Sequence, residues 1–303
     1  MEEEKSVFIT GASGFVGSNL VSYLAKKFAL VTSKVRYLPE QVFDLKGSFA
    51  VVHLAGKAHD LKNVSVPQEY YEVNYELTKQ LYDAFIASQS AKFIFVSSVK
   101  AVADHADGPV TEEQEPHPKN HYGKSKRLAE EYIEAQSLPP GKSYYILRPC
   151  MIHGPGNKGN LNLLYKFVSK GLPYPLAAFS NKRSFLSVEN LCFVIKEILE
   201  RDNIPSGIYN VADDEALSTN EIVSILAGSL NKKPWLLKIP VRLVSLIAKM
   251  GDKLRLPLNS DRLQKLTENY VVSNKKIKTA LHKELPVGAR DGILTTTAFF
   301  VNK

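Results

Sequence analysis

Val7-Phe8-Ile9-Thr10-Gly11-Ala12-Ser13-Gly14-Phe15-Val16-Gly17 decides how this 303-residue chain folds. Residues 7–10 are apolar or β-branched and read as a buried strand. The apolar positions over 15–28 recur with helical spacing. Three glycines join the two. Gly11 permits a tight turn, Gly14 lets the backbone approach a pyrophosphate, and Gly17 lets helix and strand pack closely. The start of such a helix offers free N–H groups and the positive end of its dipole to an anion. Residues 11–17 (Gly11, Ala12, Ser13, Gly14, Phe15, Val16 and Gly17) are therefore the candidate phosphate cradle.

Outward from this unit, short β-branched runs alternate with helical patterns. Strands are expected over 29–35, 41–45, 50–55, 92–97 and 143–148, the last stopped by Pro149. Helices are expected over 70–89, with Leu77, Leu81 and Ala84 on one stripe, and over 122–136. Such alternation specifies an α/β fold with a Rossmann-type, doubly wound parallel sheet. After residue 150 it loosens, and Pro173, Pro175, Pro205, Pro234, Pro240, Pro257 and Pro286 break the chain into short pieces. The expected organisation is a dinucleotide-binding domain over 1–155. A smaller, mainly substrate-binding lobe covers 156–303, with some segments returning to the sheet. Residues 241–250 form an amphipathic helix of apolar and basic residues. It is expected to pack on the lobe's own core rather than on a membrane surface.

Composition narrows the function classes. Hydrophobic residues make up 44% and charged residues 23%, as in a core-forming globular protein. No apolar run approaches the roughly 20 residues needed to span a bilayer. The acidic start Met1-Glu2-Glu3-Glu4-Lys5 is no secretory signal. Cys150 and Cys192 lack metal-ligand spacing and read as buried thiols, so no metal is expected and the cytoplasm is the expected compartment. The net charge of +8 is spread rather than massed. It fits an anionic small-molecule substrate better than a nucleic acid, and no membrane partner is expected.

Tyr122-Gly123-Lys124-Ser125-Lys126 puts Tyr122 and Lys126 four residues apart, on one helix face. A tyrosine near its ordinary pKa of about 10 is a poor acid/base at neutral pH, and a nearby ammonium is expected to lower it. Ser97 and Ser98 end the strand before it, 24 residues from Tyr122 in the case of Ser98. A serine there can polarise a reacting oxygen or simply satisfy the backbone.

Together these residues resemble the short-chain dehydrogenase superfamily, whose glycine spacing is GxxGxxG. Five further segments are similar to its extended branch, the NAD-dependent epimerase/dehydratase type. They are His53-Leu54-Ala55-Gly56, Asn74, Arg148-Pro149 with His153-Gly154-Pro155-Gly156, Arg183-Ser184-Phe185-Leu186-Ser187-Val188-Glu189-Asn190-Leu191, and Tyr209-Asn210-Val211. The resemblance implies an enzyme with Ser98, Tyr122 and Lys126 as catalytic residues. It places Asp44, Leu45, Leu54, Ala55, Gly56, Lys57, Asn74, Tyr122, Lys126 and Pro149 with the glycine loop on the cofactor. It places Ser98, Asn160 and Arg183 on the substrate, Arg183 on its diphosphate. Further candidates are Asn162, His153, Lys57 and His59.

Two departures refine the reading. No acid ends the second strand; Thr32, Ser33, Lys34 and Arg36 stand there, so NAD and NADP both remain open. Val99 and Lys100 replace the Asp-Glu pair of the resembling dehydratases, which argues against water elimination. The Ser-Ser-Val-Lys run instead resembles a bacterial subgroup of polysaccharide biosynthesis. The expected activity is that of a 4-epimerase with NAD, or a 4-ketoreductase with NADP, on a UDP-sugar. The alternatives are a reductase of the 3β-hydroxysteroid or flavanone type and a non-catalytic NAD(P)-sensing protein. The resemblance also implies a homodimer.

Overall fold

Alternation along single strands explains the layering. In β1 (Ser6–Thr10), Val7 and Ile9 join one apolar cluster while Phe8 joins another on the opposite face. The computed structural model describes residues 5–33, 37–57, 66–157, 160–254 and 259–301. The candidates Lys34, Arg36 and His59 lie outside them. After β1 come α1 (Phe15–Leu24), β2 (Ala29–Ser33) and β3 (Ser48–His53). Next, α2 (Pro67–Tyr71) passes through a π turn (Glu72–Glu76) into α3 (Leu77–Ala87). Then follow β4 (Lys92–Val96), a 3₁₀ turn (Val99–Ala101), α4 (His121–Ala135), β5 (Ser143–Pro149) and β6 (Met151–His153). The rest comprises α5 (Asn160–Ser169), β7 (Phe185–Ser187), α6 (Val188–Glu200), β8 (Gly207–Val211) and α7 (Thr219–Ser229). The last four helices are α8 (Val241–Leu254), α9 (Ser260–Thr267), α10 (Lys275–Leu281) and α11 (Ala289–Val301).

Six strands form a parallel sheet in the order β2-β1-β3-β4-β5-β8. Leu20 and Leu24 of α1 and Leu191 and Ile195 of α6 cover one face; Leu77, Leu81 and Ile133 cover the other. A sheet buried on both sides needs apolar strands, and these supply them. Lys92, 3% exposed, ties the layers by donating from Nζ to the carbonyls of Ile198, Leu199 and Arg201 at the end of α6. A third cluster, including Leu161, Leu176, Phe185, Leu226, Val244 and Ile293, lies in the second half of the chain.

Three expectations need correction. Residues 41–45 form no strand: Phe43 and Leu45 are buried against the face of Val51 and Leu81 without joining the ladder. Among the described residues β2 therefore ends the sheet. The first helix stops at Leu24, whose carbonyl accepts from the backbone N–H of Lys27 and Phe28 and closes the chain into a turn. Pro149 does not stop β5 but completes it opposite Val211, at a strand end where the missing N–H costs no ladder bond.

The basic, amphipathic α8 buries only Val244, Ala248 and Gly251. Leu243, Leu246, Ile247, Met250 and Leu254 are between 42% and 64% exposed. No described helix is long and apolar enough to cross a membrane. Both cysteines are buried and unpaired, and burial pushes the Cys192 thiol up to about 12.

Candidate active site

The three glycines of the β1–α1 loop divide their work in space. Gly11 has φ +71°, and a Cβ there would lie 2.6 Å from the Ala55 nitrogen and 2.8 Å from the Leu54 carbonyl carbon. A Cβ on Gly17 would meet the Gly11 oxygen at 2.2 Å and the Ala12 Cα at 2.6 Å. Both positions are closed by backbone. A Cβ on Gly14 would meet the Gly11 oxygen at 3.3 Å, a tight contact but not a clash, so this glycine is the least enclosed of the three. Gly14 caps α1 without a side-chain hydrogen bond, and the first turn holds no acid. That leaves the helix's positive end and the exposed Ser13-Gly14 mouth for an external anion.

Behind the loop runs a hydrogen-bonded chain. The Ala55 N–H donates to Thr10 Oγ1 (3.2 Å), and Thr10 Oγ1 lies 2.6 Å from His53 Nδ1. His53 Nε2 lies 2.9 Å from Thr78 Oγ1, which donates to the Asn74 carbonyl at 2.8 Å. Because Thr78 gives its proton to Asn74, it accepts from His53 Nε2–H, so Nδ1 is the acceptor of the Thr10 proton. Burial first, and the charge of Lys126 second, press the His53 pKa down to about 3 and keep the ring neutral.

Asn74 sits in the π turn, fully buried. Its Oδ1 accepts from the Lys57 N–H (2.8 Å), and its Nδ2 donates to the Lys57 carbonyl (3.1 Å) and to Ser125 Oγ (3.0 Å). It therefore clamps the loop of Leu54, Ala55, Gly56 and Lys57 onto α4. A Cβ on Gly56 would stand 3.1 Å from Lys126 Nζ, which brings this loop and the candidate lysine together. Lys57 pairs with Glu69 and lies over the Tyr70 ring.

Asn120 caps α4 by accepting from the Gly123 N–H at 2.8 Å, which sets Tyr122 and Lys126 into the first turns. Tyr122 is hydrogen-bonded to Ser98 and meets the Tyr70 ring edge-on at 6.4 Å. Ser98 Oγ also accepts from the Lys100 N–H, turning the chain sharply out of β4. Lys126 Nζ donates to the Val96 carbonyl at 3.0 Å and lies 4.7 Å from the centre of the Phe95 ring. Burial lowers its pKa to about 8 although Glu130 opposes the shift. The expected lowering of the tyrosine does not appear. Burial raises the Tyr122 pKa above its usual value; the bond to Ser98 opposes that rise and the charge of Glu130 adds to it. Burial is the larger influence, and the Lys126 ammonium is engaged by the Val96 carbonyl.

Ser97 turns away from this group. Its hydroxyl donates to Glu130 Oε1 at 2.5 Å, and Glu130 is held by Arg148 through Nε (3.0 Å) and Nη2 (2.6 Å). Lys100, at the position where the resembling dehydratases carry an acid, lies with Nζ 4.0 Å from the centre of the Tyr270 ring and donates to the Asp104 carbonyl.

Most of the remaining candidates are engaged by residues outside the proton-transfer group. Arg183 donates to the Lys265 carbonyl at 2.7 Å and approaches Glu268 at 3.8 Å, so part of its guanidinium is engaged within the lobe. Asn160 opens α5, and its side chain lies outside the described residues. Asn162 lies in the first turn of the same helix. His153 is buried, 2.9 Å from Thr296 Oγ1 and 3.6 Å from Asp213. Asp44 is exposed and caps its own turn by accepting from the Lys46 N–H, while Leu45 belongs to the core. Pro149 is buried. Sequence reasoning missed the parts played by Thr10, Thr78, Glu130 and Tyr70. Only Glu130 left a signal, as a carboxylate on the apolar stripe that carries Lys126, Ala129 and Ile133.

The pattern of the NAD dependent epimerase/dehydratase family matches residues 7–212. The chain belongs to this family. Within it, a UDP-glucose 4-epimerase of Vibrio cholerae is 32% identical over 320 residues, covering 98% of this chain and 96% of the relative. An Escherichia coli O157:H7 protein, N-acetyl-alpha-D-glucosaminyl-diphospho-ditrans,octacis-undecaprenol 4-epimerase, is 32% identical over 294 residues, 90% of this chain and 84% of the relative. Among solved structures, RMD from Pseudomonas aeruginosa complexed with NADPH superposes with a TM-score of 0.77 at 22% identity, covering 99% of this chain and 100% of that one. That likeness bears out the family fold, doubly wound and parallel.

Proposed function

We propose that this chain is an NAD(P)-dependent enzyme of the extended short-chain dehydrogenase type that acts at C4 of a hexose carried on a nucleoside diphosphate, above all a UDP-sugar. The observation that carries the reading is the hydrogen bond between Ser98 and Tyr122 beside Lys126, on a loop system that also forms an open glycine cradle. The cradle fits a dinucleotide: Gly14 leaves room for a pyrophosphate, and the bare N-terminus of α1 favours its charge. Gly11 to Gly17, the loop of Leu54 to Lys57, Asn74, Tyr122, Lys126 and Pro149 would hold the cofactor, with Asp44 and Leu45 towards its adenine. When bound, the nicotinamide supplies hydride exchange at C4.

The chain's own residues handle the proton. Tyr122 rests as a phenol, the form that donates to a 4-keto oxygen. Taking a proton from a C4 hydroxyl calls for its phenolate, which the Lys126 ammonium favours once the two approach. Ser98 orients the reacting oxygen, and Arg183 and Asn160 serve the substrate's carrier. Val99 and Lys100 provide no acid–base pair for dehydration. NAD suits a 4-epimerase that recycles its cofactor and NADP a 4-ketoreductase that consumes it. The relatives named above act on sugars, so the steroid-type and sensor readings are set aside. A division into domains at about residue 155, a homodimer built on α2–α4 and a cytoplasmic location complete the proposal.

The exposed apolar stripe of α8 favours a second reading of the carrier alone: a hexose on a polyprenyl diphosphate, the substrate that the Escherichia coli relative's name states for that protein. The first test is the nucleotide released on denaturing the purified protein. Retained NAD supports the epimerase, and an empty protein that prefers added NADPH supports the ketoreductase. Failure to bind either nucleotide overturns the catalytic reading. Turnover of UDP-hexoses against a polyprenyl diphosphate hexose separates the carriers.

A further inference from the structure

Leu243, Leu246, Ile247, Met250 and Leu254 recur at spacings of three and four along α8. At about 100° per residue they share one arc of the helix. The seam that packs on the lobe is made instead by Val244, Ala248 and Gly251. On the far side of the apolar arc stand Arg242, Lys249 and Lys253. The helix thus carries a core seam, an exposed apolar ridge and a basic rim, in that order around its axis.

The segment leading into α8 extends the ridge. Tyr174 pairs with Leu236 through its N–H to the Trp235 carbonyl (2.8 Å) and the Leu237 N–H to its own carbonyl (2.9 Å). Alternation along this short ladder tucks Leu236 against the lobe core and turns Trp235 and Leu237 outward, 62% and 43% exposed. Trp235 is the chain's single tryptophan. Lys232, Lys233 and Lys238 flank it, and all three are exposed. The one acid between residues 231 and 254 is Asp252, whose carboxylate is taken up by the Ser260 N–H (2.9 Å) and hydroxyl (2.6 Å).

We infer that α8 and the Trp235 segment form a docking surface for an anionic lipid bilayer. An apolar ridge with a basic rim and a tryptophan at its edge matches what lies flat at a headgroup boundary: apolar chains enter the acyl region, and lysine and arginine stems reach phosphate. The 14-residue helix is too short to span, so the contact is peripheral. A second copy of the chain would cover the same apolar ridge. A two-fold pairing there would, however, set each copy's basic rim beside the other's, with Asp252 already engaged. The inference goes beyond the proposed function: it shares the α8 ridge with the second carrier reading, but its test reads lipid binding and requires neither carrier.

The test uses the full chain and its own tryptophan. With vesicles of phosphatidylglycerol and phosphatidylethanolamine at low salt, Trp235 emission should shift to the blue and the protein should float with the lipid. Vesicles of phosphatidylcholine should leave both unchanged. Leu246→Glu combined with Met250→Glu, at solvent-facing positions, should cut the floating fraction at least tenfold. The melting temperature should stay as it was, which shows that the double variant is folded. No flotation with anionic vesicles overturns the inference, as does flotation unaffected by the double variant. Sedimentation showing a dimer that the double variant splits, with no lipid binding, assigns the ridge to a second copy and also overturns it.

Discussion

Glu130 and Arg148 meet in the core, 0% and 1% exposed, through a two-pronged pair at 3.0 and 2.6 Å. Glu130 lies one turn beyond Lys126 on α4, Arg148 lies on β5, and Ser97 at the end of β4 donates to the same carboxylate. The pair fastens α4, which carries Tyr122, to β5, and the Ser97 hydroxyl ties the same carboxylate to the strand end that carries Ser98. Arg148→Met should leave the buried carboxylate with only Ser97 and the longer contact to Arg127 (3.4 Å), and cost up to about 3–5 kcal/mol in chemical denaturation. Adding Glu130→Leu should recover most of that stability yet leave turnover low, because the contact of Lys126 with the Val96 carbonyl is then the one side-chain hydrogen bond remaining between α4 and β4 among the described residues. Full recovery of turnover in the double variant would reduce the pair to a packing role.

Tyr122→Phe keeps the ring against Tyr70 and removes only the hydroxyl bonded to Ser98. Turnover should fall by about 10²–10⁴-fold while nucleotide binding by titration stays within a few-fold. A variant that still turns over at the parent rate places the proton elsewhere.

Lys126 titrates near 8 in the fold against an ordinary 10.5. Between those values the unfolded chain holds the extra proton, so this lysine makes stability rise with pH through the window, by at most about 1.4 kcal/mol per unit. Lys126→Met should flatten that rise in denaturation curves from pH 7.5 to 10.5. It should also abolish turnover at every pH.

His53 behaves likewise at lower pH, with a folded pKa of about 3 against 6.5. The unfolded state binds the proton first. Stability linked to His53 is therefore complete above about pH 6.5 and declines towards pH 3, again at about 1.4 kcal/mol per unit. His53→Gln should be less stable at pH 7 and show a shallower acid slope; an unchanged slope would refute the neutral relay.

Gly17→Ala should fail to fold or lose several kcal/mol, since its Cβ would meet backbone at 2.2 Å. Gly14→Ala should fold and melt near the parent temperature but bind nucleotide at least tenfold more weakly. Equal melting temperatures for the two would contradict the division of labour in the loop.

Strands with central apolar runs, such as residues 7–9 and 93–96, were legible because a doubly covered sheet favours apolar residues on both faces. The glycine loop and the Tyr122–Lys126 spacing were legible because local geometry alone sets them. Residues 41–45 were misread because Phe43 and Leu45 alternate like a strand while serving only to bury two side chains. The reach of Lys126 to Val96 and the engagement of Arg183 by Lys265 depend on segments distant in the chain, which no local pattern reports. In α8 the apolar stripe was legible but its direction was not, since the small residues Ala248 and Gly251 took the inner seam.

The π turn at Glu72–Glu76 holds one residue more than a regular helix would need to cover the same rise. Deleting Val73 would let the i to i−4 ladder run unbroken from Pro67 to Ala87, a more regular and intrinsically more favourable helix. The same healing would swing Asn74 by about 100° around the axis and strip Lys57 and Ser125 of their shared amide. The surplus residue is thus a frozen irregularity: the helix would gain by losing it, and the loop beside Lys126 would come adrift.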